Sequence, residues 1–263
     1  MGAVLTACLV VPAIAAAQDP TTTVVSCTPN STLVGVGTSC SATVLDTVPG
    51  GGSPQGSLDF SSGTAGAGWE DPGSSCTLEH AGEGGGSCRV TYVPGTFGTG
   101  VHEITASYAG SADHEASSGS ANVNVAAHPS ATSISCAPDS ITLGSATSTC
   151  VVTVTDTSSA VTAPTGSVAL SSGSGSFGSG CGGLVLVSTS QSNCTVAYTP
   201  TGPGLNLLTG TYNGDTSHAA SAGTTQVNVA SSTQGAKKKC KAKKKKKHSA
   251  SAAKKKCKKK KRR

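Results

Sequence analysis

The sequence predicts an all-β protein built as two similar β-sandwich domains in series, followed by a disordered basic tail. Three observations carry this. A block of about 105 residues with four cysteines is written twice, apolar residues alternate with period two through both copies, and every lysine lies beyond the second copy. Cys27, Cys40, Cys76 and Cys88 return as Cys136, Cys150, Cys181 and Cys194, at offsets of 109, 110, 105 and 106, so the copies differ by small insertions and deletions. Repetition at that length means two domains, not a solenoid of units of roughly 20 to 50 residues.

The first segment, residues 1–17, reads MGAVLTACLVVPAIAAA and ends in small residues, with Ala15 and Ala17 placed like the A-x-A of a secretory cleavage site. It reads as a signal peptide. The run is short of the ~20 apolar residues a bilayer span needs, so no transmembrane span is expected once it is removed. Leu5-Thr6-Ala7-Cys8 resembles a lipobox, in which the cysteine is acylated, but such a cysteine should end the apolar stretch, and here it runs on to Ala17. The expected organisation is then a first domain over 18–126, a short linker near Ala126 to Ser130, a second domain over 127–231 and the tail over 232–263. Eight cysteines at matching positions read as bridges formed in an oxidising compartment. Zinc sites usually use close C-x-x-C pairs, whereas these cysteines stand 12 to 14 positions apart, so no metal is expected.

Within the copies the alternation gives strands and no convincing helix. Cys40, Ala42 and Val44 point one way and Ser39, Ser41 and Thr43 the other, a pattern repeated by Cys150, Val152 and Val154. Leu58 and Phe60 follow the turn signal Pro54-Gln55-Gly56, as Val168 and Leu170 follow Pro164-Thr165-Gly166. Cys88, Val90 and Tyr92 match Cys194, Val196 and Tyr198; Ile104, Ala106 and Tyr108 match Leu208, Gly210 and Tyr212; Val123 and Val125 match Val227 and Val229. About seven short strands in some 105 residues, with turns between, is the pattern of an immunoglobulin-like sandwich.

These motifs carry a family resemblance. S-C-x-P, T-C or S-C opening a strand that ends in D-T, P-x-G-S, C-x-V-x-Y-x-P and T-x-x-Y-x-G begin at Ser26, Ser39, Pro54, Cys88 and Thr105, and again at Ser135, Thr149, Pro164, Cys194 and Thr209. Over residues 21–230 the chain resembles tandem bacterial Ig-like domains of the group 3 type, repeated in secreted and surface proteins. The resemblance implies two Ig-like β-sandwiches serving as a spacer, adhesion or accessory module, because function sits in sites grafted on such folds. Antibody domains bridge strands B and F, yet the strand ending at Tyr108 or Tyr212 holds no cysteine. Since Cys27 ends one strand and Cys40 opens the next, the expected pairs are Cys27 with Cys40 and Cys76 with Cys88, then Cys136 with Cys150 and Cys181 with Cys194. Each is expected to pin neighbouring strands of one sheet, although four cysteines allow three connectivities. Such loops contribute ~3 kcal/mol per bridge in the chain-entropy model, a large share of a domain stability of about 5 to 15 kcal/mol. The cores need it, since aromatic residues are only 3% of the chain.

Candidates for chemistry are few. Asp113-His114-Glu115 and Asp215-Thr216-Ser217-His218 fall in the hairpin joining the last two strands of each copy, each histidine six positions after its tyrosine. A loop contact to metal or carbohydrate competes there with a plain turn set by aspartate and glycine, and the turn is favoured because the carboxylates sit differently in the two copies. No G-x-S-x-G elbow stands between a strand and a helix, and bridged cysteines are not nucleophiles, so no catalytic residue and no cofactor are expected. Trp69 has no counterpart in the second copy; a sugar-stacking platform and a partly buried side chain are its two readings, the second favoured. Asn30-Ser31-Thr32 and Asn193-Cys194-Thr195 fit glycosylation sequons as chance matches in a threonine-rich chain.

Charge is split along the chain. Residues 1–235 hold one base, Arg89, against all thirteen acids, a net −12. The tail holds Lys237, Lys238, Lys239, Lys241, Lys243, Lys244, Lys245, Lys246, Lys247, Lys254, Lys255, Lys256, Lys258, Lys259, Lys260, Lys261, Arg262 and Arg263, a net +18. Like charge at that density cannot fold alone. On an exported chain its expected partners are anionic cell-envelope polymers or other polyanions, bound through counterion release. No aromatic residue interleaves the lysines, so sequence-specific nucleic-acid recognition is not expected. Cys240 and Cys257 break the even pairing, and each copy of KKKCK holds one of them. The expected function is a secreted or cell-surface, non-enzymatic structural or adhesion-type protein. An accessory carbohydrate-binding module, or a polyanion- or nucleic-acid-binding protein acting through the tail, stands as the alternative.

Overall fold

Alternation becomes geometry in the computed structural model, which describes residues 17–64, 68–95 and 98–232. The signal-like segment up to residue 16, the tail lysines and arginines, Cys240 and Cys257 lie outside the described residues. The described chain is all β. Its first ten strands are β1 (Thr21–Thr28), β2 (Ser31–Leu33), β3 (Thr38–Asp46), β4 (Ser57–Ser62), β5 (Gly68–Trp69), β6 (Ser75–Thr77), β7 (Glu79–His80), β8 (Gly85–Val93), β9 (Gly100–Tyr108) and β10 (Ser117–Ala126). They form two sheets, β1-β3-β8-β5 with β7 also beside β8, and β2-β10-β9-β4-β6. β2 runs parallel to β10, and the other pairings are antiparallel. After β1 the chain changes sheets within a few residues, which puts β1 and β2 on opposite layers, as in immunoglobulin-like sandwiches.

The second sandwich repeats the plan with β11 (Ser130–Ala137), β12 (Ser140–Thr142), β13 (Ser148–Asp156), β14 (Val168–Ser172), β15 (Gly175–Phe177), β16 (Val185–Ser188), β17 (Gln191–Pro200), β18 (Gly204–Tyr212) and β19 (Ser221–Ala230). Its sheets are β11-β13-β17-β15, with β16 also beside β17, and β12-β19-β18-β14. The strands beyond the seven expected per copy are mostly two- or three-residue pieces at sheet edges, too short to register as alternation.

The predicted inward faces are the cores. Cys40, Ala42 and Val44 are fully buried, as are Cys150, Val152 and Val154. Tyr92, Tyr108, Tyr198 and Tyr212 are the largest side chains so enclosed, and they supply much of the volume that the few other large residues leave unfilled. The two layers close on each other where β10 passes β1. A Cβ at Gly119 would run into the Thr23 carbonyl, and one at Gly223 into that of Thr132, so glycine is what lets the sheets meet. Beside each contact Ser117 bonds Thr21 and Thr23, and Ser221 bonds Ser130 and Thr132, at 2.7 to 2.8 Å.

The four bridges are Cys27–Cys40, Cys76–Cys88, Cys136–Cys150 and Cys181–Cys194. The expectation that each pins neighbouring strands of one sheet holds for half of them. Cys27 faces Cys40 across β1 and β3, and Cys136 faces Cys150 across β11 and β13. The other two cross between the sheets. Cys76 lies opposite Leu58, on the β4 edge of one sheet, while Cys88 lies on β8 of the other. In the second copy Cys181 precedes β16, its carbonyl accepts the Val168 N–H of β14 at 3.1 Å, and its sulfur reaches Cys194 on β17. The reason is the path after β4 and β14. The chain crosses to the opposite layer at β5 or β15, returns beside β4 or β14, and then crosses again, so the third cysteine lies against β4 or β14 and the fourth on β8 or β17 of the other sheet.

Candidate functional site

Both hairpin loops fold as turns around a histidine. Between β9 and β10, Ser111 takes the capping place: its Oγ accepts the backbone N–H of His114 at 3.2 Å, and its own N–H bonds the His114 carbonyl at 2.9 Å. Asp113 and Glu115 stay exposed. Between β18 and β19 the same place is held by Asp215, whose Oδ1 accepts the N–H groups of Ser217 at 2.8 Å and His218 at 2.7 Å. Its Oδ2 accepts the N–H and hydroxyl of Thr165, both at 2.7 Å. Burial works to raise the Asp215 carboxyl, but these donors and His218 overcome it and hold it well below the usual carboxylate range. Gly110 and Gly214 open the two turns at φ +90° and +86°. A side chain there would press on the His114 or His218 carbonyl.

The densest buried polar group is at the junction of the sandwiches, centred on His128 in the linker between β10 and β11. Its backbone docks beside the β18–β19 loop: His128 N–H donates to the Ser217 carbonyl at 2.7 Å, and the Ala219 N–H donates to the His128 carbonyl at 2.9 Å. Its Nδ1 lies 3.0 Å from Asp156 Oδ2 and 3.0 Å from Ser158 Oγ, and its Nε2 donates to the Val34 carbonyl of the first sandwich at 2.8 Å. Asp156 ends β13 and accepts the N–H groups of Ser158 and Thr162 at 2.8 and 2.7 Å. Burial pushes its carboxyl up, but those backbone donors, Ser158 and the neighbouring His128 turn the balance and lower it. His218 completes the group, with Nδ1 2.9 Å from Asp215 and Nε2 3.5 Å from Asp156, and its ring centre lies 5.4 Å from that of His128. His128, Asp156 and His218 are each at most 4% exposed.

Sequence reasoning missed His128. It stands in Ala-Ala-His-Pro-Ser, outside any alternating run, and the repeat register offers the one available signal. His128 corresponds to Asp19 at the offset of 109, and Asp19 makes the same backbone bridge to His114 that His128 makes to His218. The first copy keeps only part of the polar group. His114 Nε2 lies 3.1 Å from the Gly52 carbonyl and 3.4 Å from Asp46, whose Oδ2 is buried with no hydrogen-bond partner.

Elsewhere Trp69 is partly buried and packs on Phe60 and Tyr92, with ring centres 6.0 and 5.1 Å away. An open groove of about 670 Å³ beside the Cys76–Cys88 bridge is lined by Ser41, Ser75, Thr77, Glu79, Ser87 and Arg89. Among the described residues no group of three or more histidine, cysteine and acidic side chains is arranged to hold a metal ion.

No family model and no curated protein matches the chain. Among solved structures it is similar to the adhesin InvE of Yersinia pseudotuberculosis at 15% identity and a TM-score of 0.39, over 79% of this chain and 58% of that one. It is also similar to the Escherichia coli adhesin FdeC, at 19% identity and a TM-score of 0.30, over 79% and 64% of the two chains. The D0-D1 domain of intimin gives 13% identity and a TM-score of 0.27, over 80% and 97%. The chain thus spans about three fifths of the length of the first two, and the fold assignment rests on the sheet order described above.

Proposed function

We propose that the chain is an exported, non-enzymatic surface protein of the group 3 bacterial Ig-like type, in which two bridged sandwiches project from a cell envelope that the lysine tail grips electrostatically. The observation that carries this is the segregation of charge: Arg89 is the single base before residue 236, while eighteen bases follow it. A polycation outside the cell meets phosphate-rich polymers, anionic head groups and acidic polysaccharides, and binding by counterion release weakens steeply with salt. The four bridges support export, because disulfides persist in oxidising compartments. An adhesion or spacer role fits stapled sandwiches in series, which hold a binding partner away from the surface without chemistry of their own.

The test compares full-length protein with a chain lacking 236–263 on isolated envelopes washed at rising salt. Full-length protein should be retained at low salt and released at high salt, and the truncated protein should be lost in the first wash. Equal retention of both, or retention of the full chain that ignores salt, overturns the anchor.

A further inference from the structure

The buried group at the linker does something that the proposed surface role does not require. We propose that His128 is a proton-operated latch: with both ring nitrogens protonated it ties the end of β13 to the turn after β2, and when it loses a proton the two sandwiches become free to reorient. The partners decide the protonation state that fits. Nε2 faces the Val34 carbonyl at 2.8 Å, which can only accept. Nδ1 faces Asp156 Oδ2 at 3.0 Å, which as a carboxylate also only accepts. A doubly protonated ring satisfies both at once. A neutral ring must turn a lone pair towards one of them, and although Ser158 Oγ at 3.0 Å can donate to Nδ1, the Asp156 oxygen then stands against that lone pair.

The end of β13 and the loop after it supply Asp156, Ser158 and Thr162; the β18–β19 loop supplies His218 and Asp215; the first sandwich supplies the Val34 carbonyl. Three of the four ion pairs among the described residues fall in this group, and all of them use a histidine. With both rings doubly protonated the two imidazoliums match the two carboxylates; a neutral ring keeps one N–H, so His218 can still donate from Nδ1 to Asp215, whereas His128 must give up either Asp156 or Val34 in a water-poor place. The match at His128 exists while its ring carries both protons and is lost when it gives one up.

The first copy shows that the histidine belongs to the junction, not to the repeat. Asp19 occupies the corresponding position and offers no side-chain donor, and Asp46, the counterpart of Asp156, keeps a buried oxygen without a hydrogen-bond partner, 3.4 Å from His114. The linker itself is short, since β10 ends at Ala126 and β11 begins at Ser130. One side-chain hydrogen bond to Val34 is therefore well placed to set the angle between the layers it joins.

The experiment uses the full chain and measures residual dipolar couplings in both sandwiches from about pH 5 to about pH 8.5, together with the ring nitrogen shifts of His128. At the acid end both sandwiches should share one alignment tensor. As pH rises the tensors should diverge, with a midpoint that coincides with the titration of His128. H128Q removes the titration while keeping an amide donor, and should show no pH dependence; H128A should show divergent tensors throughout. Amide dispersion within each sandwich reports that the variants remain folded, and the wild-type midpoint stands even if H128A does not fold. One common tensor at every pH in the wild type overturns the latch. So does a pH-dependent divergence that survives in H128Q and disappears in H218Q.

Discussion

Cys76 and Cys88 are bonded across the two layers of the first sandwich, with Cα atoms 5.8 Å apart, where Cys27 and Cys40 are direct cross-strand partners at 4.0 Å. Their loops are nearly equal, at separations of 12 and 13, so the chain-entropy model gives each bridge about 3 kcal/mol. Their local effects should differ. The ladder of β1 on β3 remains when Cys27–Cys40 is removed, whereas β6 has three residues paired to β4 and depends on the bridge to stay against β8. We expect C76S/C88S and C27S/C40S to lower unfolding stability by similar amounts, read by fluorescence of Trp69, the one tryptophan in the chain. Hydrogen exchange across residues 70–80 should accelerate in the first variant only. Equal exchange in both would show that β6 stands without its staple.

Gly119 and Gly223 should tolerate no side chain. A methyl group at either must displace a carbonyl of the opposite layer, so G119A and G223A should each cost about 1 to 3 kcal/mol, as overpacking does. Gly63 and Gly173 have nothing within 4 Å of the added carbon and are not at positive φ. G63A and G173A are therefore the controls, expected within about 0.5 kcal/mol of wild type in urea unfolding. A G119A as stable as G63A would mean that the layers can part at β10 without loss.

The layers themselves were readable because a period of two places Cys40, Ala42 and Val44 on one face whatever the strand pairs with. Which sheet a short strand joins was not readable. Cys76 sits in a three-residue strand within a run of glycine and serine, and no pattern in the text distinguishes the edge of β4 from the edge of β8. His128 escaped for a related reason: its environment is made by Asp156, His218 and Val34, which lie 28, 90 and 94 positions away, and a linker has no periodicity to betray a buried side chain. The turn chemistry was half legible. Asp215 is a recognisable capping residue, while its counterpart Ser111 is one serine among many.

Acid should weaken the second sandwich. Asp156 and Asp215 are both held below the ordinary carboxylate range, so their contribution is complete above the unfolded value of about 3.9 and is lost as pH falls below it. Tyr212 acts at the other end. Burial, and then the nearby Asp215 charge, push its hydroxyl well above the usual phenol range, so stability is full below about pH 10 and declines as pH rises beyond it. Urea midpoints of the second sandwich, followed by its amide signals, should trace both limbs. D215N should flatten the acid limb and cost about 1 to 3 kcal/mol at neutral pH by weakening the acceptor of five donors, and Y212F should flatten the alkaline limb. An acid limb unchanged in D215N would assign it to other carboxylates.

The edge strand β16 should make the second sandwich sticky. Val185, Leu186 and Val187 are 65%, 68% and 55% exposed, and β16 pairs with β17 alone, so its outer backbone is open to another strand. In the first copy the corresponding β7 carries Glu79 and His80, side chains that discourage such pairing. Replacing the apolar pair by the first copy's residues, V185E/L186H, should lower concentration-dependent association in sedimentation velocity, and the reverse exchange, E79V/H80L, should raise it. Neither should shift unfolding by more than about 0.5 kcal/mol, because the side chains are exposed. Leu207, 52% exposed on β18 in the opposite sheet, separates edge pairing from general hydrophobicity. If L207E suppresses association as well as V185E/L186H does, the stickiness belongs to apolar surface and not to the open edge.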